Sequence, residues 1–141
     1  MTDTLARRRG IALVAHDARK DDLCSWAAAN RAALSRHRLL ATGTTGRVLG
    51  ERAGLRVERL HSGPLGGDQQ IGARIVEGVV DVLIFFFDPL GAHPHSADVQ
   101  ALQRLAALRD IPSAYNAATA QFLIESPLLH ADIPCRTVSA V

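Results

Sequence analysis

The chain has 141 residues, of which 48% are hydrophobic and 21% are charged, and its formal net charge is only +2. This composition is typical of a soluble globular protein, and the length predicts a single domain over residues 1–141. The small net charge and the scarcity of aromatic residues (4%) argue against a nucleic-acid partner.

The hydrophobic runs are too short for membrane insertion or export. The longest covers residues 82–87, far below a membrane span. The run at 11–15 is too short for the core of a signal peptide. Cys24 and Cys135 are far apart and form neither a CxxC pair nor a disulfide framework. We therefore expect a cytoplasmic protein with no membrane partner.

Short apolar runs alternate with amphipathic stretches along the chain. The predicted strands cover residues 11–15, 39–42, 57–60, 82–87 and 112–115. The predicted helices cover residues 21–36, 45–52, 68–77, 98–109 and 119–125. This alternation predicts a three-layer α/β/α fold with a five-stranded, mostly parallel open sheet.

The loops that follow the predicted strands hold nearly all of the side chains that could bind a ligand or take part in catalysis. In open α/β sheets, ligands bind outside the carboxyl ends of the strands. The loops at that edge are residues 16–17, 42–46, 62–68 and 88–98. We therefore expect the functional site to be built from these four loops.

Two of these loops and one lysine could hold a phosphate group. Glycines let a backbone approach a ligand closely, and hydroxyls and helix-start amides bind anions without a metal. The candidate groups are Thr42, Gly43, Thr44, Thr45, Ser62, Gly63 and the only lysine, Lys20. The alternative is an ordinary turn with Thr44 or Thr45 as a helix N-cap and Lys20 in solvent. The sequence contains neither a nucleotide P-loop nor a GxGxxG after the first strand.

Asp68 follows two glycines at the predicted start of a helix. The glycines remove side-chain bulk and leave this carboxylate within reach of a small molecule, as a general base requires. The alternative is that Asp68 only caps its helix.

Three histidines and three aspartates come from the loops after the first and fourth predicted strands. They are His16, Asp17, Asp88, His93, His95 and Asp98. One interpretation is a metal site that uses His93 and His95. A second is acid–base chemistry, in which a neutral histidine polarises a carbonyl and aspartates hold its tautomer. A third is simple loop capping by Asp88 and helix N-capping by Asp98.

Five strings resemble the methylglyoxal synthase family. They are IALVAHDxxK at 11–20, LLATGTTG at 39–46, SGPLGGDQQIGA at 62–73, DVLIFFFDPLGAHPHSADVQAL at 81–102 and IPSAYNAATAQFLI at 111–124. The strings GGDQQ and DPLxxxPHxxD are the most specific. A regulatory domain of carbamoyl-phosphate synthetase shares this fold, but it is not expected to carry the aspartates.

The resemblance implies a cofactor-free, metal-free lyase that converts dihydroxyacetone phosphate to methylglyoxal and inorganic phosphate through an enediolate phosphate. By this resemblance Asp68 is the base, His95 contacts the substrate oxygens, and Asp17, Asp88 and Asp98 complete the catalytic set. The substrate and phosphate contacts that it implies are His16, Lys20, Thr42, Gly43, Thr44, Thr45, Ser62, Gly63 and His95.

The resemblance also implies a homohexamer with allosteric inhibition by phosphate. Two other functions are kept as alternatives at this point. One is a non-catalytic ligand-sensing domain of the same fold, and the other is a metal-assisted enzyme that uses His93 and His95.

Overall fold

The computed structural model describes residues 8–91 and 96–131. Its five strands are β1 (Gly10–Ala15), β2 (Arg38–Thr42), β3 (Val57–Leu60), β4 (Val82–Phe86) and β5 (Ser113–Ala114). They form one sheet in the order β3-β2-β1-β4-β5, and every pairing is parallel. The predicted α/β fold with a five-stranded sheet is confirmed, and the sheet is wholly parallel.

Helices cover both faces of the sheet. They are α1 (Lys20–Ala29), α2 (Arg31–Leu34), α3 (Gly43–Ala53), α4 (Gly67–Val76), α5 (Ser96–Leu108), α6 (Ala117–Glu125) and α7 (Pro127–His130). Two single-turn 3-10 helices, Asp17–Arg19 and Gly63–Leu65, follow β1 and β3. Among the described residues, no helix is long and apolar enough to cross a bilayer.

The side chains of β1 alternate between two hydrophobic cores, as the pleat of a strand requires. Ile11 and Leu13 pack in a core with residues of α1, α3 and α6. Ala12 and Val14 pack on the opposite face with residues of α4 and α5. The strand is therefore buried on both sides, which explains why its sequence is a continuous apolar run.

Two helical segments differ from the prediction. The predicted helix at 21–36 is interrupted at Asn30, which has φ −112° and ψ 22° and separates α1 from α2. The Asn30 amide donates to the backbone oxygen of Trp26 at 2.9 Å and to Oε1 of Gln121 at 3.1 Å. The helix α7 was not predicted; it begins at Pro127 and is capped by Ser126, whose side chain accepts from the Leu128 N–H.

Candidate active site

The loops after β1, β2, β3 and β4 converge on one cavity of about 460 Å³ at the carboxyl edge of the sheet. The strand order changes direction between β1 and β4, so the edge next to these two strands is the topological switch point where ligands bind in such sheets. The predicted site residues that line this cavity are His16, Asp17, Lys20, Thr42, Thr44, Thr45, Ser62, Gly63, Asp68 and Asp88.

His16 and Asp88 connect the ends of the two central strands. The backbone N–H of His16 donates to the Phe86 oxygen at 3.2 Å, and the N–H of Asp88 donates to Nδ1 of His16 at 2.9 Å. Because Nδ1 accepts a hydrogen bond, the neutral ring carries its hydrogen on Nε2. The buried ring packs against Phe85 and Phe87, with ring centroids 5.1 and 5.4 Å away. The structure therefore presents His16 as a fixed imidazole whose Nε2–H is a donor.

Asp88 has a local role as well as a place in the cavity. Its Oδ1 accepts from the backbone N–H of Leu90 at 3.0 Å, so the loop-capping alternative is confirmed for this carboxylate. Asp98 is not an N-cap, because α5 begins two residues earlier at Ser96.

Lys20 and Asp17 form an ion pair at the rim of the cavity. Nζ of Lys20 lies 2.6 Å from Oδ1 of Asp17. The Asp17 side chain is 96% exposed, whereas that of Lys20 is 22% exposed. Such an exposed pair contributes little to stability. Lys20 is the only lysine or arginine among the described lining residues, so it is the cation available to an anion in the cavity.

The predicted loop at 42–46 is instead the end of β2 and the first turn of α3, and its threonines Thr42, Thr44 and Thr45 line the cavity. The helix α3 begins at Gly43, with Thr42 in the N-cap position and no side-chain cap, so the alternative that Thr44 or Thr45 caps the helix is wrong. Oγ1 of Thr45 is buried and has no hydrogen-bond partner within residues 8–91 and 96–131. A buried hydroxyl costs free energy unless it is hydrogen-bonded. The Thr45 hydroxyl is therefore suited to a ligand oxygen.

Gly43 lies behind the cavity wall and is not one of its lining residues. Its N–H donates to the His61 oxygen at 3.2 Å, and a methyl group added at Gly43 would lie 3.0 Å from the backbone nitrogen of Ser62. Gly43 therefore allows the β2 and β3 ends to approach closely, which brings the threonine loop beside Ser62 and Gly63.

Asp68 lies in the first turn of α4 and is only 3% exposed. Gly66, with φ 105°, occupies the N-cap position, so the alternative that Asp68 is the N-cap is wrong. A methyl group added at Gly63 would lie 3.4 Å from Oδ1 of Asp68, so this glycine leaves the carboxylate uncovered. The prediction named the two preceding glycines, Gly66 and Gly67, but the glycine next to the Asp68 carboxylate is Gly63. A methyl group at Gly66 would meet no atom within 4 Å, and one at Gly67 would meet the backbone of His61.

Asp98 lies on the other side of Asp68 from the main cavity. It lines a second, more apolar cavity of about 470 Å³ between α4 and α5, and Asp68 lines both cavities. The structure thus brings Asp98 near the base candidate without placing it beside Asp17 and Asp88. His93 and His95 lie outside the described residues.

Two further residues support the site and were not predicted. Oε1 of Gln70 accepts a hydrogen bond from the backbone N–H of His61 at 2.8 Å, which connects α4 to the residue that follows β3. Phe85 forms part of the cavity wall. The signal for Gln70 was its place in the GGDQQ string, two residues after Asp68.

The metal alternative depends on residues that are not described. Within the described ranges, no three histidine, cysteine, aspartate or glutamate side chains are grouped so that they could hold a metal ion. His93 and His95, which would supply the ligands, lie outside those ranges.

Comparison with known proteins places the chain in a family. The family model for the MGS-like domain matches residues 22–115. A methylglyoxal synthase of Hahella chejuensis is 52% identical over 139 residues, which cover 96% of this chain and 91% of the relative. One of Proteus mirabilis is 57% identical over 125 residues, with coverage of 89% and 82%.

A solved structure agrees with these relatives. The crystal structure of methylglyoxal synthase from Elizabethkingia anophelis is 47% identical, covers 94% of this chain and 90% of its own, and superposes with a TM-score of 0.83. The chain therefore has the MGS-like α/β domain. It belongs to the methylglyoxal synthase family.

Proposed function

We propose that this chain is a carbon–oxygen lyase that converts dihydroxyacetone phosphate to methylglyoxal and inorganic phosphate. The observation that carries the proposal is that one cavity is lined by a buried carboxylate, Asp68, together with threonine and serine hydroxyls and Lys20. Membership of the methylglyoxal synthase family supports the same reaction. A ligand-sensing domain would need the hydroxyls and Lys20 but not a carboxylate in the same cavity.

In the first step, the Asp68 carboxylate removes a proton from the hydroxymethyl carbon next to the carbonyl. The electron pair moves to the carbonyl oxygen and gives an enediolate phosphate. Hydrogen bonds to an oxygen on which charge develops lower the barrier, commonly by about 3 kcal/mol for each donor. We assign this task to His95, and the Nε2–H of His16 is a second donor at the cavity wall.

In the second step, the carbon–oxygen bond to phosphate breaks. The hydroxyl proton leaves, its electron pair forms the aldehyde, and the displaced double bond expels phosphate to leave the enolate of methylglyoxal. Protonation of that enolate at its terminal carbon gives the product. The groups assigned to the phosphate are Lys20, Thr42, Thr44, Thr45, Ser62 and Gly63, which line the cavity, whereas Gly43 acts only by letting the threonines lie beside Ser62. Asp17 and Asp88 share the cavity with Asp68, Asp98 lines the adjoining one, and together they complete the proposed catalytic set.

Replacing Lys20 by alanine is expected to raise KM for dihydroxyacetone phosphate by about tenfold or more, with a smaller change in kcat. The reason is that the ammonium group contacts a phosphate present in both the ground state and the transition state. Lys20→Arg is expected to restore only part of the affinity, because the planar guanidinium group of arginine donates its hydrogen bonds in a different geometry from the compact ammonium group of lysine. Steady-state kinetics measures both values.

The matched control for Lys20 is Arg19→Ala. Arg19 precedes Lys20, pairs with Asp22 at 3.0 Å and does not line the cavity, so its removal is expected to leave KM unchanged. An unchanged KM in Lys20→Ala would show that Lys20 is only a surface residue.

Prolonged treatment with a strong chelator is expected to leave turnover unchanged. Amides, hydroxyls and one ammonium group can hold a phosphate without a metal ion. A coupled assay for methylglyoxal and phosphate, run with and without chelator, checks this result. Loss of activity that zinc or iron restores, and buffer does not, would favour a metal-assisted enzyme that uses His93 and His95.

The proposal includes a cytoplasmic homohexamer of single-domain chains that its product phosphate inhibits allosterically. This part of the proposal rests on membership of the family. Light scattering is expected to report a hexamer, and a stable, active monomer would contradict this part of the proposal.

A further inference from the structure

A third cavity, of about 400 Å³, opens at the edge of the sheet opposite the active site. Its wall includes Arg8, Ser35, His37, Arg38, Arg56 and Glu58. These residues precede or begin the first three strands, whereas the active-site loops follow the strands. The cavity therefore shares no lining residue with the proposed active site.

The strand register explains why three arginines meet here. Arg38 pairs with Gly10 of β1, two residues after Arg8. Arg56 immediately precedes Val57, which pairs with the residue that follows Arg38. Neighbouring parallel strands lie about 4.8 Å apart. The fold thus places three guanidinium groups at the amino ends of three adjacent strands.

The positive charge of this cluster is not balanced by a carboxylate in the described part of the chain. Within that part, Arg8, Arg38 and Arg56 make no ion pair. The one acidic lining residue, Glu58, is paired with Arg74 at 3.0 Å. Like charges on adjacent strands destabilise a sheet. An anion in the cavity would remove this repulsion.

His37 forms a buried part of the same wall, and its burial favours the neutral ring. Its Nδ1 accepts from the backbone N–H of Arg9 at 3.0 Å, so the neutral ring donates from Nε2 to Nδ1 of His130, 2.9 Å away. Burial is the main cause that lowers the pKa of His37 to about 4. The neighbouring His130, Arg36, Arg9 and Arg8 lower it further.

We propose that this cavity binds a small polyvalent phosphate, such as pyrophosphate or the diphosphate group of a phosphorylated metabolite. A guanidinium group forms bidentate hydrogen bonds to phosphate oxygens, so three guanidinium groups can bind more than one phosphoryl group. The volume is at the lower end of the range for small-molecule sites. The site is independent of the activity at the opposite edge.

Calorimetric titration of the full chain with pyrophosphate tests the proposal. The Arg38→Gln/Arg56→Gln variant is expected to weaken binding at least tenfold. Arg104→Gln removes an exposed arginine of α5 that does not line the cavity, so it is expected to bind as the unaltered protein does. Lys20→Ala, which alters the active site, is expected to retain the binding. In the absence of pyrophosphate, the double variant is expected to keep kcat and KM.

A second measurement follows the His37 ring by nuclear magnetic resonance in the unaltered protein. Bound pyrophosphate is expected to shift the His37 signals and raise its pKa, because negative charge favours the imidazolium form. Absence of pyrophosphate binding at millimolar concentration would overturn the proposal. Equal affinity in the double variant, or loss of binding only in Lys20→Ala, would also overturn it and would leave the lyase proposal untouched.

Discussion

Replacing Asp68 by asparagine is expected to lower turnover of dihydroxyacetone phosphate by about a hundredfold or more. The substitution keeps the size of the side chain but removes the lone pair that accepts the proton. The start of α4 is not affected, because Gly66 occupies the N-cap position. The variant is therefore expected to fold normally and to bind a phosphate-mimicking inhibitor as before, which calorimetry measures alongside turnover.

The control for Asp68 is Asp21→Asn, which removes an exposed carboxylate that is paired with Arg52 at 2.6 Å and does not line the cavity. It is expected to leave turnover unchanged. If Asp68→Asn is folded, binds the inhibitor and still turns over within a few-fold of the unaltered protein, Asp68 is not the base. Asp17 and Asp98 would then be the carboxylates to test.

Replacing Gly67 by alanine is expected to lower the free energy of unfolding by about 3 kcal/mol or more. The added methyl group would lie 1.9 Å from the backbone oxygen of His61, and backbone atoms cannot rotate away. Either the end of β3 or the start of α4 must move, and that movement displaces Asp68. Since a 1 Å displacement of a catalytic group can cost about a hundredfold, turnover of the folded fraction is also expected to fall.

The matched control for Gly67 is Gly50→Ala, within α3. The nearest atom to a methyl group there is the Leu55 oxygen at 3.7 Å, an ordinary contact. Alanine in a helix interior is more favourable than glycine by about 0.5–1 kcal/mol, so this variant is expected to be slightly more stable. Urea denaturation measures both variants. If Gly67→Ala is as stable and as active as the unaltered protein, the segment between β3 and α4 can shift without displacing Asp68, which would contradict this prediction.

The fold was predictable because β1 and β4 are continuous apolar runs and amphipathic stretches separate the predicted strands. The closing turn of α3 was predictable from Gly54, which adopts φ 65° in the left-handed region. The break at Asn30 was not, because it depends on a hydrogen bond to Gln121, 91 residues further along the chain. Local pattern carries no information about such a partner.

The site was predictable to the level of its four loops, since parallel strands bring their carboxyl ends to one edge. The placement of Asp98 beyond Asp68 was not predictable, because it depends on how α5 packs against α4. The Gln70 bond to the His61 backbone was missed for a similar reason. The sequence around a glutamine does not indicate which backbone group its side chain will hydrogen-bond.

The order of the strands has a consequence for the synthesis of the chain. β1 is the first of the five strands to be synthesised, yet it lies at the centre of the sheet. The backbone N–H of Gly10 donates to a carboxylate oxygen of Asp81 at 3.0 Å, and this partner lies 71 residues further along the chain. Contacts this distant in sequence close slowly, and until they close an apolar strand edge is open to other chains. A nascent chain that has completed β1, β2 and β3 therefore still exposes one edge of β1. That edge stays unpaired at least until β4 has been synthesised.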